Sequence, residues 1–147
     1  MDFWTDDRLR SIDRLLNPRS IAVIGATPKG GYGGRLLTTL LKAKDHVRLY
    51  PVNPNYDEIM GLKAYRSVLD LPEAPDLAGV VVPYNRVIDV LRECEQKKAG
   101  SAVIISAGFA ERGTDAGQEL QDDLAAFGRG SSLRFAGPNC LGLANVR

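Results

Sequence analysis

Short apolar runs rich in β-branched residues alternate along the chain with segments of helical periodicity. The runs at residues 80–82 and 103–105 contain no polar residue. Strands that are apolar on both faces are typical of a parallel sheet covered by helices on both sides. Because consecutive parallel strands need right-handed crossover connections, the pattern predicts an α/β fold with a Rossmann-like, doubly wound parallel sheet.

About five strands and four helices are predicted, and the expected strand order is 3-2-1-4-5. The strands lie at residues 20–25, 47–52, 79–83, 102–106 and 133–136. The first helix begins after a Thr5 cap, and the second carries the leucines of residues 36–41. The third spans residues 86–98, and the fourth begins after a Thr114 cap. Residues 56–76 are turn-rich, with a short strand near 62–65 and a short helix near Val68. Residues 1–147 are expected to form one domain, with 1–17 as a helical extension.

Composition and charge exclude several classes of protein. Nineteen basic residues against eighteen acidic ones, with 44% hydrophobic residues, argue against a nucleic-acid partner or a disordered chain. The acidic N-terminus is no secretory signal, and the longest weakly polar run, ten residues, is about half of what a membrane helix requires. Two cysteines without C-x-x-C spacing predict no metal or redox site. We therefore expect a cytoplasmic protein without a membrane partner.

A loop rich in turn-forming residues follows every predicted strand. In an open parallel sheet, ligands bind outside the carboxyl ends of the strands, where the strand order reverses. The loops at these ends are rich in Gly, Pro, Asn and Ser, and they lie at residues 25–34, 52–54, 82–84, 106–110 and 137–140. The connections at the opposite edge are charged and ordinary. This distribution predicts a ligand site at the carboxyl edge.

The glycine-rich loop at residues 25–34 precedes a predicted helix. Glycines allow close approach of backbone N–H groups to a phosphate, and the helix N-terminus adds partial positive charge. The tight G-x-G-x-x-G spacing is missing, so a flexible turn is the alternative interpretation. On the first interpretation, Gly25 and Gly34 face the ligand and leave it room.

The end of the second strand distinguishes between nucleotides. Domains that bind NAD usually place Asp or Glu there to hold the ribose diol. Here the position carries Val52, Asn53 and Pro54. This favours a ligand with a different ribose, such as the 3′-phosphorylated ribose of coenzyme A, although an NAD-dependent oxidoreductase or redox sensor stays an alternative.

Six segments in order carry a resemblance to a known family. They lie at residues 25–27, 50–56, 61–65, 82–83, 105–110 and 137–142. Together they resemble the N-terminal CoA-binding domain of NDP-forming (ADP-forming) acyl-CoA synthetases, which is related to the α subunit of succinyl-CoA synthetase. The resemblance covers roughly residues 17–145. It implies a domain that holds coenzyme A while a phosphohistidine on another domain relays phosphate.

The resemblance also implies roles for residues in these loops. The expected CoA-binding set is Gly25, Ala26, Thr27, Gly33 and Gly34 in the phosphate loop; Val52, Asn53 and Pro54 beside the nucleotide; Val82, Pro83, Ser106, Ala107 and Gly108 lining the cofactor; and Asn139 and Cys140 near the thiol end. Lys29, Arg86 and Arg112 could also meet phosphates, although such side chains are usually solvated surface.

No catalytic residue is expected in this chain. The single histidine, His46, precedes the second strand at the wrong edge of the sheet to serve as the relay. Cys140 and Ser106 lack a histidine that could activate them. The chain stops at Arg147, and we expect it to be part of a longer synthetase, with the remaining domains or subunit as partners. A regulatory domain of a protein acyltransferase is the alternative parent.

Overall fold

A computed structural model describes residues 5–142, and the ends of the predicted domain 1–147 lie outside this part. Four α-helices and seven strands are present in it. Their bounds are α1 Asp6–Leu16, β1 Ser20–Ile24, α2 Tyr32–Leu40, β2 Arg48–Val52, β3 Glu58–Ile59, β4 Leu62–Lys63, β5 Leu77–Val80, α3 Val87–Gln96, β6 Ser101–Ile104, α4 Asp115–Gly130 and β7 Arg134–Ala136. No helix in residues 5–142 is long and apolar enough to cross a membrane.

Five parallel strands form the main sheet, in the order β2-β1-β5-β6-β7. Two hydrophobic clusters cover its faces. One packs α3 and α4 against Ala78, Val80 and Ile104, and the other packs α2 against Ile21 and Val23. Helices on both faces confirm the prediction of an α/β, Rossmann-like sheet.

The predicted strand order 3-2-1-4-5 is wrong. Counting the five sheet strands along the chain, the order is 2-1-3-4-5, because β5 pairs with β1 and not with β2. The outer edge of β2 is occupied by Tyr65, whose N–H donates to the Pro51 carbonyl at 3.0 Å. In addition, β5 buries Ala78 and Val80 completely, which a central strand requires, whereas β2 begins with the exposed Arg48.

The helix α1 closes the amino edge of the sheet. Thr5 caps it, accepting a hydrogen bond from the N–H of Arg8 at 3.4 Å. Its Ser11 hydroxyl donates to the Gly100 carbonyl at 2.8 Å, and Arg14 pairs with Asp76 at 2.6 Å. Since these contacts occupy the amino ends of the central strands, the carboxyl ends are left to form a site.

Candidate functional site

A cleft of about 590 Å³ opens at the carboxyl ends of β1, β2 and β5. Strand order reverses between β1 and β5, because the chain leaves β1 for one neighbour and later returns to the other. Backbone bonds hold the rim: Gly25 N–H donates to Val52 at 2.9 Å, and Val81 N–H donates to Ile24 at 2.8 Å. The predicted site edge and the cleft therefore coincide.

The cleft combines apolar walls with a polar rim. Valine side chains from the ends of β2 and β5, the short helix Val68–Asp70 and α3 form the walls. They are Val52, Val68, Val82 and Val90. The polar groups of the rim are Asn53, Asn55, Arg66, Ser67, Arg86 and Glu93. A mostly apolar pocket with a few polar groups is the usual form of a cofactor site, and two guanidinium groups against one carboxylate favour an anion.

No carboxylate follows β2 directly. Asn53 stands there, and its side-chain amide donates to the Ala26 carbonyl at 2.8 Å while its oxygen accepts the N–H of Asn55 at 2.9 Å. The amide thus joins the loops after β1 and β2. One N–H and one acceptor site of the Asn53 amide are thus used within the protein, so this side chain helps to shape the cleft, and it supplies no carboxylate for a ribose diol.

The glycine-rich loop leads into the N-terminus of α2 at the same edge. The first bond inside α2 runs from Arg35 to the Gly31 carbonyl at 3.0 Å, so the N–H groups of Tyr32, Gly33 and Gly34 have no intrahelical acceptor. The first turn of α2 contains no acidic side chain. Such a helix start favours an anion.

Three glycines of this loop lie tightly against the backbone of the protein itself. A Cβ on Gly25 would overlap the Val81 carbonyl, and one on Gly33 would overlap Gly25. A Cβ on Gly34 would overlap the Lys29 carbonyl and come within 2.9 Å of the Thr27 carbonyl oxygen. Gly33 and Gly34 therefore allow α2 to pack against the loop, and Gly25 allows the loop to approach the end of β5. The expectation that Gly25 and Gly34 face the ligand stays a prediction, although a Cβ at either position would meet the protein's own backbone.

Gly30 and Gly31 are the glycines of the loop that face open space. No atom lies within 4 Å of a Cβ at either position, and Gly31 has a φ of 100°. Of the other predicted loop residues, Ala26 is fully buried, and Thr27 accepts the N–H of Lys29 at 3.2 Å through its hydroxyl. Close approach of a ligand to the backbone is thus possible at residues 30 and 31.

Ser106 ties together the loops after β5 and β6. Its hydroxyl donates to the Val82 carbonyl at 2.6 Å and accepts the N–H of Val82 at 3.1 Å. These bonds place Val82 and Pro83 at the cleft wall. The exposed Ala107 follows at the rim.

The turn after β6 is closed by Glu111. Its carboxylate accepts the N–H groups of Gly108 and Phe109, and these bonds hold the pKa of Glu111 below its usual range. Gly108 has a φ of 121° and lies against the Tyr84 ring, which itself carries the Arg112 guanidinium 5.4 Å from its centroid. The two N–H groups are therefore occupied by an internal carboxylate.

Asn139 and Cys140 lie further along the same edge, outside the cleft. The N–H of Asn139 donates to the Ser106 carbonyl at 3.0 Å, and that of Cys140 to the Ile104 carbonyl at 3.1 Å. Cys140 is half-buried. The structure thus groups Gly25, Val52, Asn53, Pro54, Val82 and Pro83 around the cleft. It places the remaining predicted residues beside that group, along one edge of the sheet.

Eight residues of the cleft lie outside the set predicted from sequence: Ile24, Asn55, Arg66, Ser67, Val68, Val81, Val90 and Glu93. Ser67 begins the short helix Val68–Asp70 with a capping box, and its hydroxyl donates to Glu93 at 2.7 Å. The S-x-x-D spacing was a usable signal for that helix start. Nothing local, however, shows that this turn-rich segment folds back beside β2.

A second depression, of about 570 Å³, lies at the amino ends of the strands. Its arginines are largely neutralised, since Arg14 pairs with Asp76 at 2.6 Å and Arg48 with Glu73 at 2.7 Å. His46 lies near this edge, as predicted, and is exposed. Its backbone N–H donates to the Ala43 carbonyl. Within residues 5–142, no group of three His, Cys, Asp or Glu side chains could hold a metal ion.

Comparison with known proteins gives the family of this fold and cleft. Residues 19–146 match the family described as a CoA binding domain. The chain belongs to this family. It is 45% identical over 137 residues to a trans-feruloyl-CoA synthase of an unknown prokaryotic organism and 44% identical over 129 residues to an ADP-forming acetate–CoA ligase of Methanocaldococcus jannaschii. These matches cover 92% and 88% of the chain but 19% and 18% of the relatives.

A solved structure agrees with these relatives. The dinucleotide-forming acetyl-coenzyme A synthetase 1 of Candidatus Korarchaeum cryptofilum, in complex with phosphate and ADP, superposes with a TM-score of 0.81 at 37% identity. The match covers 89% of this chain and 28% of that one. The predicted resemblance to ADP-forming acyl-CoA synthetases is thereby confirmed. Neither an oxidoreductase nor a protein acyltransferase is supported.

The residues at the carboxyl edge fit coenzyme A, the cofactor of this family. The valine walls suit a flat adenine ring, and the N–H groups at the start of α2 suit a pyrophosphate. Arg66 and Arg86 add positive charge at the rim. The lack of a carboxylate directly after β2 suits a phosphorylated ribose, which such a group would repel.

Proposed function

We propose that this chain is the coenzyme A-holding part of an ADP-forming acyl-CoA synthetase, which interconverts acyl-CoA, phosphate and ADP with the acid, coenzyme A and ATP. The chain spans about a fifth of the length of the curated relatives it matches. The observation that carries the proposal is the cleft at the point where strand order reverses, lined by valines and two arginines.

The three parts of coenzyme A have separate positions in this proposal. Adenine lies among Val52, Val68, Val82 and Val90, and the pyrophosphate lies at the start of α2. The pantetheine arm then runs along the carboxyl edge towards Asn139, which brings the thiol to the end of the sheet. Bound coenzyme A supplies that thiol as the acceptor of the acyl group.

The side chains of this chain orient the cofactor and perform no bond-making step in this proposal. Asn53 and Ser106 hold the loops that shape the cleft, and Glu111 holds the turn after β6. The phosphate relay and the acid-binding groups belong to the remaining domains or to a partner subunit. Both thiols, Cys94 and Cys140, are free, which suits the reducing cytoplasm that we propose as its location.

Calorimetric titration tests the proposal directly. Coenzyme A, dephospho-coenzyme A and NAD are titrated in turn into the full chain. We expect saturable binding of coenzyme A with one site per chain and no binding of NAD at the same concentration. Tighter binding of NAD than of coenzyme A would contradict the proposal and favour a nicotinamide-dependent parent.

A further inference from the structure

Arg66 lies beside the end of β2, although it follows Pro54 by twelve positions in sequence. Its neighbour Tyr65 makes a parallel bridge to Val52. Two hydrogen bonds hold the bridge: Tyr65 N–H donates to Pro51 at 3.0 Å, and Asn53 N–H donates to Tyr65 at 2.8 Å. The backbone of residue 66 is therefore fixed next to Asn53, at the rim of the cleft.

The guanidinium of Arg66 is available to a ligand. Its side chain is 74% exposed, and its ion pair with Asp57 is long, at 3.8 Å, with the carboxylate side chain 96% exposed. A pair so exposed contributes little and yields readily to a better partner. Two other polar side chains of the rim make hydrogen bonds within the protein: Asn53 donates to the Ala26 carbonyl, and Glu93 accepts from Ser67.

The end of β2 is where dinucleotide-binding domains distinguish one ribose from another. A carboxylate there binds a free diol, and a nearby arginine accommodates a phosphate on the ribose. Here the strand ends without a carboxylate, and the backbone bridge brings an arginine to the same place from a different segment. A planar guanidinium can bind two phosphate oxygens at once.

We propose that Arg66 binds the 3′-phosphate of coenzyme A and sets the preference of this domain for coenzyme A over dephospho-coenzyme A. This inference rests on the proposed function of the cleft. It assigns a specificity residue to the turn-rich segment between β2 and β5.

The test compares three proteins, the unchanged chain, Arg66→Gln and Arg92→Gln, each titrated calorimetrically with both ligands. Arg92 is the matched control because it is a similarly exposed arginine, paired with Asp89 at 3.1 Å, on the side of α3 away from the cleft. We expect the unchanged chain to prefer coenzyme A by about tenfold, as one exposed charge pair allows. Arg66→Gln should abolish most of this preference, and Arg92→Gln should keep it.

Ionic strength and the variant Arg66→Lys give two further tests of the charge interaction between Arg66 and the phosphate. The preference of the unchanged chain should shrink between low and high ionic strength, because exposed charge pairs are screened. Arg66→Lys should keep part of the preference, since the positive charge remains. Thermal unfolding checks that Arg66→Gln is folded, which its exposure leads us to expect.

The outcomes separate this inference from the proposed function. If the unchanged chain binds coenzyme A but Arg66→Gln shows the same preference, Arg66 does not bind the phosphate, and the proposed function stands. Equal binding of both ligands by the unchanged chain also overturns the role of Arg66. If the unchanged chain binds neither ligand, the proposed function itself fails, and the inference fails with it.

Discussion

Replacing Gly34 by alanine tests whether the glycine-rich loop is required for packing. In an open helix, Gly→Ala stabilises by up to about 1 kcal/mol, because alanine is the better helix former. Here the new Cβ would overlap the Lys29 carbonyl and come within 2.9 Å of the Thr27 oxygen. Both neighbours are backbone atoms of a short loop, so the methyl group can be accommodated only if α2 moves.

The packing cost should exceed the gain in helix propensity. Over-packing by one methyl group typically costs about 1–3 kcal/mol. The net loss of unfolding free energy for Gly34→Ala is then about 1–2 kcal/mol, which for a domain of this size lowers the Tm by roughly 3–6 °C. Gly30→Ala is the matched control, since no atom lies within 4 Å of its Cβ. It should leave the Tm unchanged or slightly higher.

Thermal and urea unfolding of the three proteins, followed by circular dichroism, measure this difference. We expect Gly34→Ala to unfold cooperatively at a lower temperature and a lower urea concentration than Gly30→Ala. If Gly34→Ala is as stable as the unchanged chain, or more stable, then Gly34 is not required for the contact between α2 and the loop.

Three further predictions concern single side chains. Asn53→Asp removes the amide that donates to the Ala26 carbonyl, so urea unfolding should show a loss of about 1–3 kcal/mol, and an unchanged midpoint would contradict this role. Hydrogen bonds from two serines, most strongly from the Ser131 hydroxyl, lower the pKa of Glu95 in the folded chain. Ionised Glu95 therefore stabilises the fold at pH values above its ordinary pKa of about 4.3. This contribution is lost as the pH falls through the lower pKa of the folded state. Glu95→Gln should therefore make stability less sensitive to pH below about 5, and parallel pH profiles would refute it. Burial raises the pKa of the Cys94 thiol to about 12, so a thiol reagent at pH 8 should label only Cys140 in the folded chain and both cysteines in urea; labelling of both in the folded chain would contradict the burial.

The five sheet strands and four helices could be predicted from sequence because their signals are local. Apolar β-branched runs and helical leucine spacing depend on a few neighbouring residues. Strand ends were less accurate: the third strand was predicted at residues 79–83, and β5 is Leu77–Val80. Pro83 has no N–H for a ladder bond, and the chain turns away before it.

Strand order and half of the cleft could not be predicted, because both depend on one non-local contact. Tyr65 seals the outer edge of β2 through the backbone, which leaves no side-chain pattern in the sequence. With this edge of β2 occupied, β5 pairs with β1 on its other side. The same contact places Arg66 at the cleft. The short strand predicted near residues 62–65 is confirmed as β4, whereas its two-residue hairpin partner β3 was not predicted, because so short a strand has no recognisable pattern.

The glycine-rich loop shows a different limit of sequence reasoning. Its composition predicts close backbone approach, and the structure contains such approaches. Sequence does not distinguish approach to a ligand from approach to another part of the chain. The carbonyl groups around Gly33 and Gly34 show that the protein itself is the neighbour there, whereas Gly30 and Gly31 face open space.

We propose that coenzyme A occupies the cleft at the carboxyl edge of the sheet. The most direct test is to add coenzyme A to the ¹⁵N-labelled chain and follow the backbone amide signals by NMR. We predict saturable shifts at Gly25, Asn53, Arg66 and Val82, with no shifts at the amino-edge depression around Arg19. Shifts confined to that depression, or no shifts at saturating coenzyme A, would contradict this placement of coenzyme A.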